Sequence, residues 1–174
     1  MPDHCINSNA GRMAMTADQE LAGLFLASGM TLAMAESCTG GMIAARVTDS
    51  AGCSAWFRGG VVAYSNEVKQ QLLQVSGTLL EQYGAVSEAV ARAMAEGARR
   101  VIGSDLALAV TGIAGPEGGT SEKPVGTVYI ALADQDGCEV VRCQFNGNRA
   151  AVRQQTVEMG LLMLKKRLMV SETA

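Results

Sequence analysis

The chain has 174 residues, with 14 lysines and arginines against 17 aspartates and glutamates, so its formal net charge is −3. This acidic balance disfavours proteins that bind nucleic acid by neutralising phosphates, and no apolar run approaches the ~20 residues of a membrane span. The single histidine, His4, lies near the amino terminus, outside any periodic segment. One histidine excludes a two-histidine zinc site and disfavours a Ser-His-Asp or Cys-His site, whose histidine the fold must hold.

Hydrophobic periodicity and turn residues predict an alternation of helices and strands along the chain. The predicted strands cover residues 31–35, 59–65, 106–111, 127–133 and 138–145. The predicted helices cover residues 16–28, 40–48, 66–73, 78–84, 87–102 and 149–169. Two of these helices, which begin at Thr16 and Thr78, open with the spacing of a capping box. The short connection at residues 134–137 makes the last two strands an antiparallel hairpin.

This order of elements predicts one α/β domain over residues 16–170, preceded by an unstructured leader at residues 1–15. Right-handed crossovers make the early strands parallel and the hairpin adds an antiparallel one. We therefore expect a three-layer α/β/α sandwich around a mixed, mostly parallel five-stranded sheet. Ligands bind such sheets beyond the carboxyl ends of the parallel strands. Three polar segments fall there, at residues 36–41, 64–69 and 111–126, and we expect them to form the site.

Ser37 lies between a strand end and Gly40-Gly41, which open a helix. Backbone N–H groups and the helix dipole at such a position can stabilise a negative charge that develops on a substrate oxygen. Ser37 is therefore a candidate nucleophile, and the alternative is that Ser37 or Thr39 merely caps the helix. The neighbouring Cys38 is a second candidate, for which the alternative is a small buried apolar residue.

Lys69 lies in the first turn of the helix after the second strand, where the helix dipole disfavours a cation. Partial burial at this position would lower the lysine pKa toward the neutral amine that a general base needs. The alternative is a solvated surface lysine. Tyr64, at the preceding strand end, has a phenol that could bridge Ser37 and Lys69 or simply point into water.

The long glycine-rich loop at residues 112–126 could let backbone N–H groups converge on an anion. It matches neither a Walker A motif nor a dinucleotide-binding motif, and the alternative is a mobile surface loop. Arg149 and Arg153 lie one helical turn apart at the start of the last helix. Paired arginines there suit a phosphate or a carboxylate, and the alternative is a solvated helix face.

Four segments together closely resemble the carboxy-terminal domain of the CinA family: AESCTGG (35–41), YSNEVK (64–69), VTGIAGPEGGTSEKPVGTVY (110–129) and GNRAAVR (147–153). The resemblance extends from about residue 17 to residue 168. It implies a fold like that of anticodon-binding domains and a homodimer or higher homo-oligomer. It also implies hydrolysis of nicotinamide mononucleotide to nicotinate mononucleotide and ammonia, with no metal and no cofactor.

The resemblance further implies a serine/lysine mechanism, in which neutral Lys69 takes the proton of Ser37 and Tyr64 orients the pair or relays the proton. Backbone N–H groups near Ser37 and at residues 112–115 would hold the oxyanion. The residues expected to contact the substrate are Thr39, Gly40, Gly41, Thr111, Gly112, Gly115, Gly118, Gly119, Thr120, Lys123, Arg149 and Arg153.

The chain departs from the family pattern at Asn148, where the family often has aspartate. Asn148 can still cap the helix but carries no charge. The family's amino-terminal pyrophosphatase-like domain has no counterpart in this sequence, so we do not expect its activity. Two other functions stay open, a non-catalytic nucleotide-binding module and a serine/lysine amidase for another small amide. Five cysteines, an odd number, without a secretion signal predict a reduced, cytoplasmic setting.

Overall fold

A computed structural model describes residues 15–171 of the chain. Its elements are α1 (Ala17–Ser28), β1 (Leu32–Glu36), α2 (Met42–Thr48), β2 (Phe57–Val62), α3 (Asn66–Leu73), α4 (Gly77–Tyr83), α5 (Glu88–Ile102), β3 (Leu106–Gly112), β4 (Thr127–Ala133), β5 (Cys138–Gln144) and α6 (Arg149–Ser171). Most of the predicted leader lies outside the described residues, and so does His4.

The five strands form one sheet in the order β2-β1-β3-β4-β5. β1 pairs in parallel with β2 and with β3, whereas β4 pairs antiparallel with β3 and with β5. All strands except β4 therefore run in the same direction. The expected mixed, mostly parallel sheet of five strands is confirmed.

Alternating residues in the central strands place large and small side chains on opposite faces of the sheet. The large ones pack with α1, α2 and α6, and in β1 and β3 they are Leu32, Met34, Leu106 and Leu108. The small ones face α3, α4 and α5, and in the same strands they are Ala33, Ala35, Ala107 and Ala109. Both faces of the sheet are thus covered by helices, and the three-layer α/β/α architecture is confirmed.

Gly97 allows helices α3 and α5 to pack in direct contact. A Cβ at position 97 would lie 2.1 Å from the backbone oxygen of Leu73, the last residue of α3. At the other end of α3, the Ser65 hydroxyl caps the helix by accepting from the Val68 N–H at 3.3 Å. The helix that carries Lys69 is therefore held at both ends.

Strand β2 ends at Val62, so the predicted end at residue 65 is wrong. Ala63 N–H still donates to the carbonyl oxygen of Glu36, the last residue of β1, at 2.8 Å. Beyond that point β1 offers no further partner. The carbonyl groups of Ala63 and Tyr64 are consequently available to a donor outside the sheet.

Two predicted helix starts are also wrong. Helix α2 begins at Met42 rather than at residue 40, because Gly40 and Gly41 have φ angles of +62° and +97°, in the left-handed region. Helix α4 begins at Gly77 after Ser76, so Thr78 lies inside its first turn and cannot be the first residue of a capping box.

Candidate active site

A cleft of about 230 Å³ opens at the carboxyl edge of strands β1 and β3. Its lining residues are Ser37, Cys38, Tyr64, Lys69, Ala85, Val86, Thr111, Gly112, Ala114 and Arg149. The three polar segments that follow the parallel strands thus meet at one place. Sequence reasoning missed Ala85 and Val86, which connect α4 to α5 and carry no polar signal. The Thr111 hydroxyl ties this connection to β3 by donating to the Ala85 carbonyl at 2.8 Å.

Ser37 and Lys69 face each other inside the cleft. The Ser37 side chain follows the last residue of β1, and Lys69 projects from the first half of α3. The Lys69 Nζ lies 3.2 Å from the Ser37 Oγ. Both residues are buried, with Lys69 only 1% exposed. The serine hydroxyl and the lysine amine therefore form a contacting pair away from bulk solvent.

Burial lowers the pKa of Lys69, because the charged ammonium loses its hydration while the neutral amine loses little. The charges of Cys38 and Glu67 oppose this shift by less than burial lowers the pKa. Among the described residues, no carboxylate forms an ion pair with Lys69. The buried environment thus makes Lys69 easier to deprotonate than a solvated lysine.

The three hydrogen-bond partners of Lys69 match the three protons of an ammonium, and they also accommodate a neutral amine. Its Nζ donates to the carbonyl oxygens of Ala63, at 2.8 Å, and Tyr64, at 3.1 Å. Carbonyl groups can only accept, whereas a serine hydroxyl can donate or accept. A neutral amine that uses its two protons on the carbonyls directs its lone pair at the Ser37 hydroxyl. This is the arrangement that a lysine general base requires.

Tyr64 lines the cleft, but its phenol does not bridge Ser37 and Lys69. The side chain is 61% exposed, and its hydroxyl accepts from the Arg149 Nη2 at 3.1 Å. The Tyr64 contact with Lys69 is made by the backbone carbonyl instead. In this structure Tyr64 therefore holds the lysine through its main chain and leaves its ring at the rim.

The turn after Ser37 is held by Glu36, a residue that the sequence analysis did not select. The buried Glu36 carboxylate accepts from the N–H groups of Gly41, Ile43 and Ala44 at the start of α2. The alternative in which Ser37 or Thr39 caps this helix is therefore wrong. The signal that could have identified Glu36 is a charged residue at the end of an otherwise apolar strand.

The glycine-rich loop divides between the cleft and another part of the surface. Gly112 lines the cleft, and Gly115 lies at its rim, where its carbonyl accepts from the Arg149 Nη1 at 3.0 Å. Gly118, Gly119 and Thr120 are exposed and do not line the cleft. Lys123 points away, and its Nζ donates to the Tyr83 carbonyl at the end of α4, at 2.8 Å.

The two arginines of α6 hold different segments around the cleft. Arg149 lines the cleft and bonds both Gly115 and Tyr64, so its guanidinium lies at the rim. Arg153 lies one turn further on, and its Nη2 donates to the Thr39 carbonyl at 2.7 Å. It supports the turn that contains Thr39, Gly40 and Gly41 and is not among the residues that line the cleft.

Cys38 is buried, and its environment disfavours a thiolate. Desolvation raises the pKa of the Cys38 thiol to about 11, and the nearby Glu36 carboxylate adds to the shift. Because the thiolate is the nucleophilic form of cysteine, Cys38 is not activated for attack at neutral pH. The structure favours the interpretation of Cys38 as a small buried residue.

Comparison with known proteins places this fold and cleft in a family. The family model of the CinA C-terminal domain matches residues 14–168. The chain belongs to the CinA family. A CinA-like protein of Geobacter sulfurreducens is 58% identical over 156 residues, which cover 90% of this chain and 38% of that protein. The chain thus spans well under half the length of the curated relatives it matches.

Solved CinA-superfamily structures share the fold. One from Klebsiella pneumoniae has a TM-score of 0.84 at 38% identity and covers 87% of this chain and 95% of its own. Another, from Escherichia coli, has a TM-score of 0.81 at 32% identity, with coverage of 94% and 99%. The expected resemblance to the CinA family is therefore confirmed.

Three further observations concern the CinA-family expectations. Asn148 caps α6 as expected, since its Oδ1 accepts from the Ala151 N–H at 3.0 Å. Within residues 15–171, no helix combines the length and the apolar character that crossing a bilayer requires. The same part of the chain contains no group of three or more His, Cys, Asp or Glu side chains arranged to hold a metal ion.

Proposed function

We propose that the chain hydrolyses the carboxamide of nicotinamide mononucleotide to give nicotinate mononucleotide and ammonia. The observation that carries the proposal is the buried Ser37–Lys69 pair. Its lysine contacts two carbonyl oxygens and a serine hydroxyl, and forms no ion pair with a carboxylate of residues 15–171. A reaction of this kind needs a nucleophile activated by a base in a site with little water. Family membership supports the same proposal, because the motifs that carry it supply both residues of the pair.

In the first half of the reaction, neutral Lys69 takes the hydroxyl proton as the Ser37 Oγ attacks the carboxamide carbon. The tetrahedral intermediate places a negative charge on the former carbonyl oxygen. Collapse of the intermediate breaks the C–N bond, and the proton held by Lys69 goes to the departing nitrogen, which leaves as ammonia. The product of this half-reaction is an ester between Ser37 and the nicotinoyl group.

In the second half, Lys69 takes a proton from a water molecule as the water oxygen attacks the ester carbon. The bond to the Ser37 Oγ then breaks, and the serine recovers its proton from Lys69. The net change consumes one water and releases the acid. One lysine thus acts as base and then as acid in both halves, which needs a pKa closer to the working pH than that of a solvated lysine.

The backbone N–H group best suited to hold the oxyanion is that of Cys38. It directly follows the nucleophile, belongs to a residue that lines the cleft, and within residues 15–171 donates to no backbone carbonyl. The next residue, Thr39, is fully buried and does not line the cleft. The N–H groups of α2 are unsuited, because Glu36 already occupies them. The Ile113 N–H, in the turn at residues 112–115, is bonded to the Thr127 carbonyl.

Arg149 is the residue we assign to the substrate phosphate. Its guanidinium lies at the rim, where it bonds one carbonyl and one phenol, both neutral acceptors. A phosphate is a stronger acceptor for a guanidinium than either group. Arg153 is assigned a supporting role, since its bond to the Thr39 carbonyl directs it beneath the Ser37 turn.

The test is ammonia release from nicotinamide mononucleotide by the wild type and by Ser37→Ala and Lys69→Ala. We expect each variant to lose on the order of 10³-fold or more in kcat, whereas Lys166→Ala, which removes an exposed lysine of α6, should match the wild type. Near-native kcat in either cleft variant would contradict the mechanism.

A substrate panel tests the choice of amide. Nicotinamide, its riboside and glutamine should all be poorer substrates than the mononucleotide, because none of them offers the phosphate to Arg149. Preference for one of them would indicate a serine/lysine amidase for another small amide. Binding of the mononucleotide without ammonia release would indicate a non-catalytic nucleotide-binding module.

A further inference from the structure

Glu36 has a buried carboxylate that takes no part in the proposed reaction steps. It is 2% exposed, and among residues 15–171 it forms no ion pair with a lysine or an arginine. Its Oε2 accepts from the N–H groups of Gly41, at 3.0 Å, and Ile43, at 3.1 Å, and its Oε1 accepts from that of Ala44, at 2.8 Å. These charge-assisted bonds compensate for the lost hydration of the carboxylate.

The segment that Glu36 tethers is the one that follows the nucleophile. Gly41 is the N-cap of α2 and supplies no side chain to hold the first turn. Gly40 and Gly41 both adopt positive φ and offer no side chain to hold this part of the turn. Without the carboxylate, the N–H groups of Gly41, Ile43 and Ala44 would lose their acceptor, and the start of α2 would lose its side-chain tether to β1.

The main chain of Glu36 reaches both members of the reactive pair. Ser37 follows it directly, and the Ser37 N–H donates to the Val110 carbonyl at 3.1 Å. The Glu36 carbonyl accepts from the Ala63 N–H at 2.8 Å, and the Ala63 carbonyl accepts from the Lys69 Nζ at 2.8 Å. A single residue thus connects the start of α2, the serine and a carbonyl that holds the lysine.

We propose that Glu36 is a positioning residue, which sets the approach of the Ser37 hydroxyl to the Lys69 amine by tethering β1 to the first turn of α2. This inference rests on the proposed serine/lysine function. It assigns Glu36 no contact with the substrate, so its removal should lower the rate of the chemical steps and leave substrate binding in place. A misplacement of about 1 Å between reacting groups can cost about 10²-fold in rate.

The test compares Glu36→Gln and Glu36→Ala with Thr16→Ala. The glutamine keeps the shape of the side chain but replaces one carboxylate oxygen with an amide nitrogen, which faces N–H groups and cannot accept from them. Thr16→Ala is the matched control, because Thr16 also bonds the start of a helix, accepting from the Gln19 N–H at 3.2 Å in α1. The measurements are kcat and KM for nicotinamide mononucleotide, corrected for the folded fraction, and the melting temperature.

We expect Glu36→Gln to lose about tenfold in kcat and Glu36→Ala about 10²-fold, each with KM within about twofold of the wild type. Thr16→Ala should lower the melting temperature and keep the wild-type kcat. The proposal is overturned if folded Glu36→Gln has wild-type kcat, or if its activity falls only in proportion to the folded fraction. Should Glu36→Ala not fold, the glutamine variant decides.

Labelling with a small fluorophosphonate separates this inference from the proposed substrate. In that reaction the bond between the Ser37 Oγ and phosphorus forms, fluoride leaves, and Lys69 takes the serine proton. The wild type could be labelled in a Ser37-dependent way and yet fail to hydrolyse nicotinamide mononucleotide. That result would contradict the proposed substrate but not the role of Glu36. The rate of labelling is measured by intact-protein mass spectrometry. Slower labelling of Glu36→Gln than of the wild type then supports the positioning role, and labelling at the wild-type rate overturns it.

Discussion

Two depressions on the molecule differ in size and in the burial of their charged side chains. The larger, of about 600 Å³, lies along α4 and α5, and it is lined by Leu79, Tyr83, Ser87, Glu88, Ala89, Arg92, Ala93, Glu96, Lys123 and Tyr129. Its cations are partly solvated and have local partners, since Arg92 pairs with Glu88 at 3.4 Å and Lys123 bonds the Tyr83 carbonyl. We call it the α4–α5 groove.

The smaller cleft, around Ser37, encloses Lys69, which has no carboxylate counter-ion in the part of the chain that the structure describes. Exposed charges keep their hydration and cost little free energy, whereas burial of an unpaired ammonium is expensive and drives the group toward its neutral form. The α4–α5 groove therefore holds partly exposed cations with local partners, and the cleft holds a buried lysine whose pKa is lowered by burial. Burial, rather than the volume of a depression, therefore marks Lys69 as the candidate for acid–base chemistry.

We expect the largest effect from a substitution that places a permanent positive charge in the cleft. Lys69→Arg keeps a cation near Ser37 but cannot give up its proton, so we expect a loss of about 10³-fold or more in kcat at every pH. In the wild type, kcat/KM should rise about tenfold per pH unit below the Lys69 pKa and level off above it. Because burial lowers that pKa, the plateau should begin below the pH at which a solvated lysine loses its proton.

The matching control is Lys166→Arg on the exposed part of α6, which should leave the whole pH–rate profile unchanged. A Lys69→Arg variant with wild-type turnover at neutral pH would show that Lys69 is not the base. A wild-type profile that rises only near the pKa of a solvated lysine would show that burial does not prepare the amine.

A smaller effect follows from the packing that places Lys69 in the cleft. In Gly97→Ala the new methyl group meets the Leu73 backbone oxygen, so α3 must shift away from α5. We expect a loss of about 1–3 kcal/mol in the free energy of unfolding, measured by urea denaturation. A loss of about tenfold in kcat should accompany it, because α3 carries the base.

Gly23→Ala, in α1, is the control, since a Cβ at position 23 would lie within 4 Å of no atom outside the nearby backbone of its own helix. It should be neutral or slightly stabilising, because alanine is the better helix former. Wild-type kcat in Gly97→Ala, with the stability loss present, would mean that the position of α3 does not control the reaction.

Arg149→Ala sharpens the assignment of the rim. We expect KM for nicotinamide mononucleotide to rise about tenfold, as the loss of a charge-assisted contact predicts, with less change for the riboside, which has no phosphate. Steady-state kinetics on both substrates measure the difference. If KM changed equally for the two substrates, Arg149 would not be the residue that binds the phosphate.

The smallest expected effect is in the α4–α5 groove. The family resemblance implies that Lys123 contacts the substrate, but its amine bonds the Tyr83 carbonyl outside the cleft. We therefore expect Lys123→Ala to change KM for nicotinamide mononucleotide by less than about twofold, the scale of a lost exposed contact. A tenfold rise in KM would show that the loop brings Lys123 to the substrate.

Much of the fold followed from the sequence because the relevant signals are local. The order of predicted strands and helices indicated helices on both faces of the sheet, and Gly29, which follows Ser28, was correctly predicted to end α1. Errors occurred where a distant partner decides. The end of β2 depends on where β1 stops offering hydrogen bonds, and the cap of α2 comes from Glu36 in the preceding strand.

The site residues divide in the same way. Ser37, Lys69 and Thr111 follow or lie near the ends of parallel strands, so chain order alone predicts that they meet at one edge of the sheet. The role of Tyr64 was not predictable, because its contact with Lys69 runs through the main chain while its ring turns to Arg149. Glu36 was missed because a strand-end glutamate has many possible partners.

The sequence by itself determined the layer order, the candidate nucleophile and the presence of a single histidine, His4, since composition and periodicity are properties of the chain alone. Only the tertiary structure decided that Lys69 is buried, that no carboxylate in the described residues neutralises it, and that Arg149 rather than Lys123 reaches the cleft. Protonation states and contacts depend on solvent exclusion by residues far apart in sequence, which only the assembled fold brings together.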